Sequence, residues 1–444
     1  MTEPVSTRAA ARHASGISPA KRLRRRIALG VVGTLLLLTA GAGAFAVYVY
    51  QDLNNGIHRS PISMPSGNPD FGVKQNTGET NILIMGMDSR VDQNGKPFPA
   101  EIYNAIHAGD QGDGGYNANV MMLIHIPGNG GRAQGISIPR DDYAELAGHP
   151  NGVKMSKIKE AYGLALDEKL RELVRGGMSR DDAYQQARTA GRQAQINTVS
   201  QFLGGVRIDH FVEITMAAFY QVADAVQPIT VCLNQATQDK YSGADFPAGM
   251  QEISAEQAMA FVRQRRDTGH TGVELTDFDR TRRQQAFMVS LAYKLKQANT
   301  FTNPATITSL IDTAKQYIAV DDGLDFLSFA QQASSLAGGN ITFTTLPITE
   351  FATRDGKDVN LVDLNQIHSI VAGLLSGKTE APAGTTPEAP ATGQTEAGGA
   401  QTPEAPATGE APTTPENSTS ETPADNTYHD WKEPLQAGAI PCVN

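Results

Sequence analysis

The chain has 444 residues, more than one average domain, with 37 Lys and Arg against 47 Asp and Glu for a formal net charge of −10. This acidic balance, with the basic residues concentrated at a few points, argues against nucleic-acid binding. No pair among the nine histidines and two cysteines has zinc spacing, and the glycine clusters "GDGGYN" and "GNGGR" lack the strand–loop–helix context of a nucleotide loop.

The first signal in chain order is "KRLRRR", Lys21 to Arg26, followed by an uncharged apolar run from Ile27 to Tyr50. That run is long enough, at about 1.5 Å per residue, to cross a hydrocarbon layer of roughly 30 Å. The basic cluster should stay cytoplasmic. The predicted order is therefore a cytoplasmic tail (1–26), one transmembrane helix (27–50) and an extracellular linker (51–78). A cleaved signal peptide is the competing reading, because small residues such as Ala42, Ala44 and Ala46 suit a peptidase.

Residues 79–377 alternate short apolar runs with amphipathic stretches, which predicts an α/β domain: a central mixed sheet flanked by helices. "NILIMGM" (81–87), "NVMMLIHI" (119–126) and "GISI" (135–138) read as buried strands. The first ends in Asp88-Ser-Arg90 and the third in Pro-Arg140-Asp141-Asp142, so polar clusters follow strand carboxyl ends, where open α/β sheets bind ligands. His125, inside a strand, reads as a packed residue. A helical stretch over 156–203 breaks at Gly176-Gly177 and restarts with Ser179 as cap. Its charges read as a solvated face, and its apolar residues as one candidate wall of a groove. "IDHFVEI" and "ITVCL" read as strands around the helix "TMAAFYQVADAV"; "ITFTTLP" and "VDLNQIHSIVAGLL" supply a last strand and helix.

"FVRQRRDTGHTGVELTDFDRTRRQQAF" (261–287) carries six arginines and three aspartates. Ser254 and Gln257 have capping-box spacing, predicting a helix that ends near Arg263. Arg263 and Arg265, two apart in an extended segment, point the same way. A second helix starts near Asp277, and on it Arg280, Arg283 and Gln284 share a face with Phe287 and Leu291. Guanidinium groups aligned with core residues near a helix N-terminus suit an anion, and the paired fork suits phosphate. The alternative is internal neutralisation by Asp267, Glu274, Asp277 and Asp279.

Residues 378–425 hold eight acids against one lysine, and "TPEAPATG" occurs at both 386–393 and 402–409. Such a composition predicts a disordered linker. The tail, 426–444, contains Cys442; an exported location lets it pair with Cys232, and two unrelated thiols are the alternative.

The segments "NILIMGMDSR", "VMMLIHI", "ISIPRDDY", "KIKEAYG", "AMAFVRQR" and "DFDRTRRQQAF", in this order, resemble the LytR-CpsA-Psr family of membrane-anchored enzymes that attach glycopolymers to bacterial cell walls. The ending "GAIPCVN" is similar to the actinobacterial branch, and that resemblance implies a Cys232–Cys442 bridge. It further implies an α/β/α fold, a hydrophobic channel for a polyprenyl chain, and magnesium-assisted transfer of a polyprenyl-diphosphate-linked glycopolymer to peptidoglycan or a surface glycoprotein.

By motif, Asp88 corresponds to the magnesium ligand, Arg140 to a phosphate contact, Arg263 and Arg265 to a diphosphate clamp, and Arg280 and Gln284 to helix-borne contacts. Arg90 and Arg283 are adjacent phosphate-binding candidates. Asp277 and Asp141 are expected to orient the arginines or move a proton. Two departures stand out. Where relatives read Arg-Ser-Asp-Thr, this chain has Asn117-Ala-Asn119-Val, leaving the Asn119 carbonyl as the second candidate metal ligand, and Lys159 stands where Asn is usual. Loss of that arginine and carboxylate keeps a second expectation open, a non-catalytic polyprenyl-diphosphate binder.

Overall fold

A computed structural model describes residues 44–45, 47–67, 78–109, 115–269, 271–296, 303–326, 328, 339–377 and 426–444. The expected basic tail, residues 27–43 and 46 of the expected transmembrane run and the 378–425 linker lie outside them. Residues 44–45 and 47–56 are helical and belong to a first unit ending at Gly56. Among the described residues no helix is long and apolar enough to cross a membrane. The second unit runs from Ile57 to Asn444.

In chain order the second unit's strands are β1 (His58–Ser60), β2 (Thr80–Met87), β3 (Ala118–Ile126), β4 (Ala133–Ser137), β5 (Tyr143–Glu145), β6 (Met155–Lys157), β7 (His210–Ile214), β8 (Ile229–Leu233), β9 (Thr237–Asp239), β10 (Ala244–Phe246), β11 (Gly249–Ile253), β12 (Ile318–Asp321), β13 (Ile341–Thr345), β14 (Glu350–Arg354), β15 (Lys357–Leu361), β16 (Leu435–Gln436) and β17 (Cys442–Val443). Its helices are α1 (Ala100–Ala105), α2 (Ala161–Arg175), α3 (Arg180–Phe202), α4 (Met216–Val226), α5 (Ala255–Arg263), α6 (Asp277–Lys296), α7 (Pro304–Tyr317) and α8 (Leu364–Leu375). The central sheet has the order β1-β12-β7-β2-β3-β4-β13-β16 and mixes parallel with antiparallel pairs. It is the expected mixed α/β arrangement.

Period-two alternation along β2 and β3 sends side chains to opposite faces. Ile82, Met122 and Ile124 pack in one layer with α4, α5 and α6. Leu83, Met85, Met121 and Leu123 pack in the other with α2, α3 and α8. The site lies in the first layer.

Short-range signals set the helix ends. Ser179 accepts from the Asp182 amide, and Ser254 and Gln257 close a reciprocal capping box. Helices α2 and α3 approach closely at Gly191, where an added Cβ would lie 2.8 Å from the Tyr162 ring.

Two expectations are corrected here. His58–Ser60, assigned to a linker, pairs with β12 as an edge strand, and Arg59 anchors it by donating to the carbonyls of Asp321, Asp322 and Leu324. Nor are the charges of 156–203 all a solvated face. Arg188 and Arg192 on α3 are fully buried against Glu213 of β7, with Gln93, Tyr162 and Ser60 completing their hydrogen bonds.

The C-terminal segment belongs to the core. β16 joins the central sheet beside β13, and β17 lies parallel to β8, with Cys442 registered on Cys232 and disulfide-bonded to it. Trp431 stacks on Phe278 of α6 with ring centroids 4.1 Å apart. Arg282 of α6 donates to the carbonyls of Asp430, Trp431 and Glu433. The tail therefore braces the helix that carries Arg280 and Gln284.

Candidate active site

Antiparallel pairing puts the C-terminal end of β2 beside the start of β3, with Met87 opposite Ala118, and brings the end of β4 to the same edge. Asp88 and Arg90 follow β2, Asn119 is the second residue of β3, and Arg140 follows β4. Helix α5 ends at Arg263; its cap, Gln264, is extended (φ −61°, ψ 129°) and turns its side chain into the interior, leaving Arg265 on the same side as Arg263. Arg280, Gln284 and Phe287 follow one face of α6.

These residues converge on a cleft of about 360 Å³. One end is apolar, walled by Met122, Met216, Phe219, Met259, Phe287 and Met288. The other end carries Arg90, Arg140, Arg263, Arg265 and Arg280, and among the described residues Asp88 is the only carboxylate lining it. The apolar residues of α2 and α3, a candidate groove wall, pack instead in the opposite layer. The wall comes from α4, α5 and α6, of which the sequence marked Phe287 by its place on the face of Arg280 and Gln284.

A continuous hydrogen-bond chain crosses the polar end. Asp88 Oδ1 accepts from the Asn117 amide at 2.9 Å, and Oδ2 accepts from Asn117 Nδ2 at 3.3 Å and Asn119 Nδ2 at 3.1 Å. Asn119 Oδ1 accepts from Arg140 Nη1 at 2.9 Å. Asp277 then bridges two arginines, accepting from Arg140 Nη2 at 3.3 Å and Arg280 Nη2 at 2.8 Å.

Positive charge exceeds what these acids neutralise. Burial lowers the Arg280 guanidinium to about 10, with Asp277 opposing and Arg140 and Arg265 adding to the fall. Arg265 is likewise lowered by burial, then by Arg140, and among the described residues no hydrogen bond or ion pair is found for it. The Nε groups of Arg140 and Arg280 are buried with no hydrogen-bond acceptor, that of Arg140 standing 3.6 Å from Asp141 Oδ2. Unfilled buried guanidinium donors of this kind call for an anion.

The remaining candidates divide. Arg90 lines the cleft but donates to the carbonyls of Ala108 and Asp88. Arg263 lines it too and holds the carbonyls of Ile106 and His107, so its fork is partly spent on that turn. Asp141 faces Lys157 and Lys159 at 3.2 and 2.7 Å; burial pushes its carboxyl up, but Arg140 and Lys159 outweigh this and hold it below its ordinary value. Asp267 and Asp279 are turned to local backbone and hydroxyl groups rather than to the arginines. His125 is packed, its Nδ1 on Asn81.

Arg283 is a correction. It does not line the cleft. It is fully buried beside the cleft-lining face of α6, bonded to Gln264 Oε1, Thr237 Oγ1 and the Asn444 main-chain oxygen. Asn119 is a second. Its carbonyl, expected to be free for a metal, is taken by Arg140. Asp88 is the one carboxylate lining the cleft among the described residues, so a magnesium ion there would have to draw most of its oxygens from bound phosphates and water. Among the described residues no group of three or more His, Cys, Asp or Glu is placed to hold a metal.

The LytR_cpsA_psr family profile matches residues 47–374. The chain is 34% identical over 360 residues to the Corynebacterium glutamicum "Cell wall biosynthesis protein LcpA", covering 80% of this chain and 66% of that protein. It is 28% identical to the same organism's "Probable cell wall biosynthesis protein LcpB", covering 65% of this chain and 59% of LcpB, so the chain spans about two thirds or less of these relatives. It is 25% identical to the Bacillus cereus "Polyisoprenyl-teichoic acid--peptidoglycan teichoic acid transferase TagU", covering 65% of this chain and 78% of TagU. Among solved structures it aligns with the "LytR-Csp2A-Psr enzyme from Actinomyces oris" at a TM-score of 0.46 and 21% identity, covering 72% of this chain and 95% of that one. The match to the family profile over most of its length, with the motif residues gathered at one sheet edge, places this chain in the LytR-CpsA-Psr family.

Proposed function

We propose that the protein moves a glycopolymer from a polyprenyl-diphosphate carrier to a hydroxyl of peptidoglycan, or of a cell-surface glycoprotein, and releases polyprenyl phosphate. The observation that carries this reading is one cleft with an apolar half and a half lined by five arginines, of which Arg265 has no hydrogen bond among the described residues and Arg280 keeps a buried Nε without an acceptor. The apolar half suits the prenyl chain and the arginines suit the two phosphates. The name of TagU, a polyisoprenyl-teichoic acid transferase, agrees with that division.

In this reading the acceptor oxygen attacks the phosphorus nearer the sugar. The bond from that phosphorus to the bridging oxygen breaks, and the bridging oxygen leaves on polyprenyl phosphate. The hydroxyl proton passes to Asp88, which retains one of its roughly four lone-pair directions. Charge grows on the bridging and equatorial oxygens, where Arg140, Arg265 and Arg280 stabilise the transition state more than the ground state. Asp277 orients Arg140 and Arg280. The apolar run at 27–50 would anchor the chain in the cell membrane with the catalytic unit outside, confining enzyme and lipid donor to one surface.

The test is incubation with a polyprenyl-diphosphate oligosaccharide labelled in the sugar, with peptidoglycan fragments as acceptor. The label should join the acceptor as polyprenyl phosphate appears. Tight donor binding without release would make the protein a binder instead, the reading that the closed Asp88–Asn119–Arg140 chain favours. Label released only to water would make it a hydrolase.

A further inference from the structure

We propose that the side-chain amide of Asn119 stands where a divalent cation would otherwise join Asp88 to the phosphate-binding arginines, so that this cleft takes up a diphosphate without a resident metal. The inference rests on the diphosphate reading of the cleft and adds to it how the charge is neutralised.

The orientation of the amide follows from its neighbours. An ionised carboxylate only accepts and a guanidinium only donates, so the Asn119 NH₂ must face Asp88 and its carbonyl must face Arg140. In that orientation the amide does what a cation would do on the Asp88 side, presenting positive hydrogens to the carboxylate at 3.1 Å. On the other side it presents a partial negative charge to Arg140 at 2.9 Å and fixes that fork in place. Asn117 adds two more N–H donors to Asp88, so three of about four lone-pair directions are filled from within the chain.

Magnesium takes six oxygens near octahedral positions at about 2.0–2.1 Å, usually one or two carboxylates together with waters and the substrate's phosphates. Here it would meet a single open direction on Asp88. The positive charge a metal would bring is already present in Arg140, Arg265 and Arg280, which line the same cleft. A carboxylate at position 119 would reverse the arrangement. Two acids would then face each other across the gap the amide now closes, a pair that ionises fully only with a cation between them.

The experiment titrates the purified full chain with geranyl diphosphate by calorimetry, once in EDTA and once in magnesium, for the natural protein and for N119D. The natural protein should bind in both conditions with affinities within about threefold, because arginine forks supply the charge-assisted bonds. N119D should lose about tenfold or more in EDTA and recover with magnesium. A second readout is the signal of free Mn²⁺ by electron paramagnetic resonance without diphosphate: N119D should deplete it and the natural protein should not.

Loss of about tenfold or more in affinity when magnesium is withheld from the natural protein would overturn the proposal whether or not the variant folds. Manganese uptake by the natural protein alone would do the same. Absence of geranyl diphosphate binding under both conditions would remove the diphosphate reading itself, and the proposal with it.

Discussion

Replacing Arg280 with alanine should lower the rate of polymer transfer by roughly 10²–10³, equivalent to about 3–4 kcal/mol of transition-state stabilisation. Arg280 is 7% exposed, gives one bond to Asp277, and keeps a buried Nε with no acceptor. Its position one turn into α6 places that free donor beside the helix N-terminus, where an anion is favoured by the helix dipole as well. The fold should survive the change, because Asp277 still receives Arg140 at 3.3 Å and the helix remains braced by Arg282 and Trp431. Arg280→Lys should recover only part of the loss, since an ammonium keeps the charge but not the planar fork. The measurement is the transfer rate beside the circular-dichroism melting curve; full activity in R280A with an unchanged melt would remove Arg280 from the site.

Glu213→Ala should destabilise the protein by about 3–5 kcal/mol, because it leaves two buried arginines without their carboxylate. Arg188 and Arg192 donate to both oxygens of Glu213, while Tyr116, Tyr162 and Tyr184 place their rings 5.5–5.9 Å from the Arg188 guanidinium, partly offsetting the excess positive charge. Burial pushes the Glu213 carboxyl up, but Arg188 and then Arg192 outweigh it and hold the group well below its ordinary value of 4.5. The folded value is the lower one, so the contribution is complete above about pH 4.5 and drains away as pH falls below it. The natural protein should therefore lose stability in acid more steeply than E213A does. Chemical denaturation at neutral and acid pH checks both parts; equal stabilities at neutral pH would contradict the assignment. Replacing Glu213, Arg188 and Arg192 together with leucine or methionine should restore much of the loss, since the cost comes from unpaired charge rather than from shape.

That network shows where reading a sequence stops. Arg188 and Arg192 sit in a polar helix and look solvated until the strand residue Glu213 is known to face them. Arg283 was misplaced for a related reason. Three residues beyond Arg280 it lies about 60° off that face, and its partners Gln264, Thr237 and Asn444 are remote in sequence. The edge strand β1 was hidden because "HRS" has no apolar alternation and is held through Arg59 by backbone carbonyls. Features set by local chemistry were legible: the Ser179 cap, the Ser254–Gln257 box, the strands ending at Asp88 and Arg140, and the alternation of Arg263 and Arg265 about Gln264. The Asn119 bridge lay between these cases, since its residue was visible as a departure and its bonds were not.

The most direct measurement is a crystal structure of the protein grown with geranylgeranyl diphosphate. Both phosphates should lie within about 3 Å of the free donors of Arg140, Arg265 and Arg280, with the prenyl chain running between Met216, Phe219 and Phe287. Phosphates seated elsewhere, out of reach of those three guanidinium groups, would contradict the account.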